Sequence, residues 1–155
     1  MSFVIFGLII LSSCESRNFI FKEHHVFEKA IWNEKDSASF EVNITDTMQL
    51  YNLGLMIEHS KNYPAQNLYL KINTAFPDGQ YFSQQVNIDF ASKAGKWFGD
   101  CSSDFCEVEA YIQKRAYFNQ SGIYKFTIKQ FTRDVDLQNI KSVQFFVEDA
   151  KQTRQ

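Results

Sequence analysis

Residues Phe40-Glu41-Val42-Asn43-Ile44-Thr45-Asp46-Thr47 decide the fold: apolar Phe40, Val42 and Ile44 alternate strictly with polar Glu41, Asn43 and Thr45 until Asp46-Thr47 breaks the run. Successive side chains of a strand point to opposite faces, so this pattern sets one face on a core and the other in water. Working outward, the alternation returns at Tyr51, Leu53, Leu55 and Ile57 and, after Asn62-Tyr63-Pro64, at Leu68, Leu70, Ile72 and Thr74. Phe76-Pro77-Asp78-Gly79 then supplies a turn, proline fixing φ near −65° and glycine tolerating positive φ. The returning strand carries Phe82, Val86, Ile88 and Phe90 on one face, and Gly95-Lys96 marks the next turn. Val108, Ala110 and Ile112 make a shorter strand, followed beyond Ser121-Gly122 by Tyr124, Phe126 and Ile128. Val143, Phe145 and Val147 form the last strand, with Gln144, Phe146 and Glu148 facing the other way, and Phe19 to Phe27 can add one more. Only Val135 to Ile140 leaves room for a helical turn.

Short strands joined by turn chemistry, without long helical periodicity, predict an all-β fold: an antiparallel β-sandwich of jelly-roll type over residues 19–150. The composition agrees, since 16 Phe and 7 Tyr against 3 Met suit the half-buried faces of sheets. A length of 155 residues fits one domain, and nothing in the chain suggests a linker or a repeat. Residues 151–155 read as a polar tail. The net charge of −2 with both signs dispersed gives no electrostatic footprint for nucleic acid.

Ahead of the strands, residues 3–11 are an unbroken apolar run, too short at about 1.5 Å per residue to cross about 30 Å of hydrocarbon. The run ends in Leu11-Ser12-Ser13-Cys14, which resembles the bacterial lipobox of a branched apolar residue, two small residues and a cysteine. Residues 1–13 are therefore read as a lipoprotein signal peptide, Cys14 as the lipidation site bearing palmitate-like acyl chains, and residues 14–18 as a lipidated tether. The n-region carries no Lys or Arg, which departs from the usual signal peptide. This places the domain in the cell envelope, lipid-anchored to a membrane, with the outer membrane as the expected one.

Setting Cys14 aside leaves Cys101 and Cys106, an even pair in an exported chain, read as a disulfide closing a short loop. Zinc would need two more ligands, and His24, His25 and His59 lack the spacing, so no metal is expected. His24-His25 sit on opposite strand faces and cannot chelate one ion together. No nucleophile elbow, P-loop, dinucleotide fingerprint or EF-hand loop is present, so no catalytic residue and no cofactor is expected. Asp78, Asp89, Asp100 and Asp104 could form a glycosidase pair in principle, but carboxylates in β-turns ordinarily serve turn geometry. Trp97 and Phe98, between Gly95 and Gly99, could be a contact for a protein or a sugar or could plug the core. Arg133, beside Asp134, could touch a partner or form a local ion pair.

With these segments in place, the chain resembles the gliding motility lipoprotein GldH family of Bacteroidota from about Phe19 to Glu148. The blocks that carry the resemblance, after Trp32, are Phe40 to Thr47 with Tyr51-Asn52, then Asn62-Tyr63-Pro64 leading to Asn67-Leu68-Tyr69-Leu70. Gly95-Lys96-Trp97-Phe98-Gly99 and the stretch from Gly122 to Asp134, with its Arg133, complete the set. The chain departs from the family pattern at Glu58 and His59, where arginine is frequent, and at its two cysteines, where the family is glycine-rich. The resemblance implies a membrane-anchored, non-enzymatic accessory or docking component of the gliding motility or type IX secretion apparatus, with envelope proteins as partners. The alternative is an envelope or surface glycan-binding β-sandwich lipoprotein, which would need a row of exposed aromatics such as Trp97 and Trp32.

Overall fold

The computed structural model describes residues 16–155, so the signal peptide 1–13 and Cys14 lie outside the described residues. Eleven strands follow: β1 (Phe19–Val26), β2 (Ile31–Asn33), β3 (Ala38–Ile44), β4 (Gln49–Ser60), β5 (Asn67–Ala75), β6 (Tyr81–Asp89), β7 (Asp100–Cys101), β8 (Phe105–Ala116), β9 (Gly122–Gln130), β10 (Asp136–Gln138) and β11 (Ile140–Thr153). The one helical element among the described residues is a 3-10 turn at Glu28–Ala30. All pairings are antiparallel, in a five-stranded sheet of order β1-β11-β4-β8-β7, a four-stranded sheet of order β3-β9-β5-β6 and a small ribbon of β10 with β2.

The topology is that of a jelly roll. The chain doubles back at the Phe76–Gln80 turn, so β5 pairs β6, β4 pairs β8, β3 pairs β9 and β1 pairs β11. Alternate rungs of this long hairpin fall in opposite sheets. The two inner faces form the core. Leu55, Ile57, Leu68, Leu70, Tyr124, Ile128, Val143 and Phe145 have no exposed surface at all. Phe145 sits centrally, its ring 5.7 Å from Phe40 and 4.7 Å from Phe126 on the opposing sheet. Burying one such side chain favours the fold by about 1.5–3 kcal/mol.

Three details depart from the alternation as read in sequence. The helical turn that residues 135–140 allow gives way to β10, whose Leu137 pairs with Trp32 of β2 and is buried with it. Pairing with a distant strand outweighs the weak local preference. Phe82 has inward parity on β6, yet β6 is the sheet edge and the ring is more than half exposed. Phe146 has outward parity and is fully buried outside the main core, under the rings of Phe19 at 5.6 Å and Tyr111 at 5.7 Å. Its cross-strand partner is Gly54, whose missing side chain leaves room for the ring. The final strand also reaches into the polar tail, where Thr153 pairs with Gln49 and the Arg154 N–H donates to the Met48 carbonyl at 2.8 Å.

Candidate functional site

The register defines two ends of the sandwich. The start of β1 lies toward the end formed by the loops 45–48, 76–80 and 117–121 and by the C-terminus, because the Asn18 carbonyl just before it accepts a bond from the Asp149 N–H beside the start of β4. The other end holds the connections 27–37, 61–66, 90–104 and 131–139. β4 alone, at 12 residues, separates them by about 35 Å. Trp97, Phe98 and Arg133 all belong to this far end.

There the turn 92–96 is closed by a Gly95 N–H bond to the Ser92 carbonyl at 2.8 Å, with Gly95 at φ +83°. Ala91 then bridges to Trp97, and the Phe98 N–H returns to the Phe90 carbonyl at 2.8 Å. Gly99, at φ +76°, passes so close to β8 that a Cβ would lie 2.9 Å from the Glu107 carbonyl carbon. The outcome is a rigid hairpin that presses Trp97 half-buried onto the core and leaves Phe98 43% exposed. Arg133 is exposed in the β9–β10 loop and forms no ion pair among the described residues, with Asp134 or any other carboxylate. Phe131 and Val135, flanking it, are 48% and 54% exposed.

Under Trp97 lies a residue that the sequence does not single out as a site. His59 is fully buried, its ring stacked on Phe90 at 4.4 Å with 4° between planes, with Trp97 at 4.8 Å and Tyr63 at 6.0 Å. Its Nδ1 is 2.9 Å from the Ser60 carbonyl, which accepts only, so Nδ1 carries the proton. Nε2 has no hydrogen-bond partner among the described residues. Burial pushes the imidazole pKa down, against a smaller upward effect of the Ser60 bond. Tyr63, buried and facing Asp134, is pushed up to about 12.

Cys101 and Cys106 are joined by a disulfide across the β7–β8 hairpin, and Cys106 stands opposite His59 in the register. Next to it Lys141 donates to Glu58 at 2.7 Å and lies over the Phe105 ring at 4.9 Å. Other candidates are not brought together. Asp78 bonds Gln120 at the near end, Asp89 bonds Asn87 on β6, and Asp100 and Asp104 flank the disulfide. His25 packs on Phe27 and lies 3.6 Å from Asp36, while Trp32 is wholly buried and stacked on Phe27 at 4.4 Å. No group of three or more His, Cys, Asp or Glu residues among the described residues could hold a metal ion. Nor is any described helix long and apolar enough to cross a membrane.

A second constellation, also missed in sequence, sits on the outer face of the five-stranded sheet at the near end. Arg17 donates from Nε to Glu148 at 2.7 Å, from Nη1 to Glu109 at 2.7 Å and from Nη2 to the Tyr111 hydroxyl at 3.2 Å. Its guanidinium also covers Phe19 at 4.7 Å and Phe146 at 5.1 Å. Burial alone would raise the Glu148 pKa, but bonds from Arg17, Tyr111 and Asn52 hold it below the usual carboxylate range. The Tyr111 phenol is pushed up to about 12 by burial and by its bond to Glu148. The partners of Arg17 lie 131, 92 and 94 residues along the chain, so no local pattern announces them.

The sequence profile described as GldH lipoprotein matches residues 19–146. The chain is similar to the "Gliding motility lipoprotein GldH homolog" of Christiangramia forsetii, with 29% identity over 151 residues, 93% of this chain and 91% of that one. It is also similar to the "Gliding motility lipoprotein GldH" of Flavobacterium johnsoniae, with 27% identity over 131 residues, 84% and 80% of the two chains. Among solved structures, TmCBM61 in complex with beta-1,4-galactotriose aligns over 85% of this chain and 87% of that chain, with 14% identity and a TM-score of 0.36.

Proposed function

The chain belongs to the GldH lipoprotein family, and from that premise we propose that it is a docking component of the gliding motility or type IX secretion apparatus. It works without catalysis, anchored by acyl chains on Cys14 to a membrane of the cell envelope, the outer membrane. Two or three chains, at about 0.8 kcal/mol per buried methylene, make release from a bilayer negligible. Anchoring also raises the effective concentration of the domain near envelope proteins. The observation that carries the docking reading is positional: Trp97, Phe98 and Arg133 share the end of the sandwich opposite the one that holds Asn18 and the start of β1. A contact surface there, with a half-buried aromatic base, an exposed Phe98 and a cation that pairs with no described carboxylate, has the ingredients of a protein hot spot. Among the described residues, no group of His, Cys, Asp or Glu that could hold a metal ion is assembled beside it.

The experiment is photo-crosslinking in cells from position 98, followed by mass spectrometry, with Arg133→Glu as the disrupting variant. Docking predicts discrete envelope-protein adducts that Arg133→Glu reduces severalfold. Absence of such adducts, together with glycan-array binding lost in Trp97→Ala, would replace docking by sugar binding. The sugar alternative has less to build on, because Trp32 is buried and leaves Trp97 as the one tryptophan near the surface.

A further inference from the structure

We infer that the domain stands end-on upon a phospholipid surface, with the loops 45–48, 76–80 and 117–121 against the headgroups and the Trp97 end turned away. The inference rests on the proposed lipidation of Cys14 and adds the mounting that the fold imposes on it.

Two observations meet. The first is the Arg17 clamp. Three side chains hold its guanidinium between the rings of Phe19 and Phe146, which ties Arg17 to the outer face of the five-stranded sheet. Cys14 precedes Arg17 by three residues, and a chain reaches at most about 3.6 Å per residue. A lipid carried on Cys14 is therefore leashed within about 11 Å of the Arg17 Cα. A leash that short does not let a domain about 35 Å long turn over.

The second is what that end displays. Met48, Tyr81, Phe82, Tyr117 and Ile123, each more than half exposed, sit in its loops or in the first residues of its strands. Exposed Lys114, Arg115 and Arg154 lie among them, and the Arg154 guanidinium covers Tyr117 at 4.4 Å. Tyrosines and basic side chains with long apolar stems are the groups that settle at a membrane interface, ring or stem in the acyl boundary and polar tip in the headgroups. Carboxylates there are engaged within the protein: Asp46 accepts from the Met48 and Gln49 amides, and Asp78 from Gln80 and Gln120. The alternative within reach of the leash is to lie on the outer face of the five-stranded sheet. That face presents Glu107 between Glu58, which pairs with Lys141, and Glu109, which pairs with Arg17, and would have to press the Glu107 carboxylate onto phosphate.

The test uses the full processed lipoprotein in phosphatidylethanolamine–phosphatidylglycerol vesicles containing a phospholipid with a nitroxide on its headgroup. Trp32 and Trp97, the two native tryptophans, both lie at the far end and serve as internal controls. Tyr117→Trp should lose most of its added emission to the nitroxide, whereas Val135→Trp and the native pair keep theirs. Arg17→Ala should still float with vesicles in a density gradient but lose the contrast between the two positions. Equal quenching at both positions, or none in Tyr117→Trp on protein that floats, would overturn the end-on mounting while leaving the anchor intact. Protein that does not float at all would overturn the anchor and this inference with it.

Discussion

The outer edge of the Phe146 ring occupies the space that a side chain at Gly54 would need: a Cβ built there would lie 2.7 Å from Cε2 and 2.8 Å from Cε1. The two residues face each other across the β4–β11 pair, in the middle of the five-stranded sheet. Gly54→Ala should therefore cost about 1–3 kcal/mol, as overpacking does. Urea denaturation of the single variants and of Gly54→Ala/Phe146→Ala should show the double variant less destabilised than the sum. Strict additivity would mean that the ring moves aside freely.

Burial depresses the pKa of His59 in the folded state, so the unfolded chain binds the proton more readily. The stabilising effect of the neutral ring is complete above the unfolded value of about 6.5 and is lost as pH falls from there through the folded value. Melting temperature should accordingly drop between pH 7 and pH 5, and the drop should be shallower in His59→Leu. A parallel pair of pH curves would remove His59 from the account.

Glu148 has a depressed pKa in the folded state, which gives stability above the ordinary carboxylate value and loss as pH falls through the folded one. Glu148→Gln should cost about 1–2 kcal/mol at pH 7, discounted because Arg17 is 38% exposed, and nearly nothing at pH 2. Chemical denaturation at the two pH values checks this.

The Cys101–Cys106 disulfide closes a loop of about six residues, for which the chain-entropy relation gives about 2 kcal/mol. Cys101→Ala/Cys106→Ala should melt several degrees lower yet keep its far-ultraviolet circular dichroism. Loss of folded signal at room temperature would assign the bond a larger part in the fold.

The strands were legible because each needs only its own period-two pattern. Phe40 to Ile44 reads the same in the sequence and in β3, where burial alternates residue by residue. What could not be read depends on partners far along the chain. Leu137 is buried because Trp32 is beside it, and Phe146 is covered because Gly54, Phe19 and Tyr111 surround it. Of the candidate contacts, the hairpin around Trp97 was announced by Gly95 and Gly99, both at positive φ. His59 carried only its parity, two residues beyond Ile57 on the apolar face, and a polar residue near a strand end reads equally well as the strand leaving the core. Arg17 was silent for the same reason, being one arginine in a polar stretch until the sheet brings Glu109 and Glu148 to it.

Because β1 pairs only with β11 among the described residues, the first strand of the domain to be synthesised has no partner until the last one follows. The hairpin of β5 and β6 joins chain neighbours, whereas β1 and β11 close the longest loop of the domain. Until then β1 carries naked backbone donors and acceptors, an invitation to wrong pairing. Stop codons that remove β11 would leave that first strand permanently single and direct the product to aggregation or proteolysis rather than to a shortened working form.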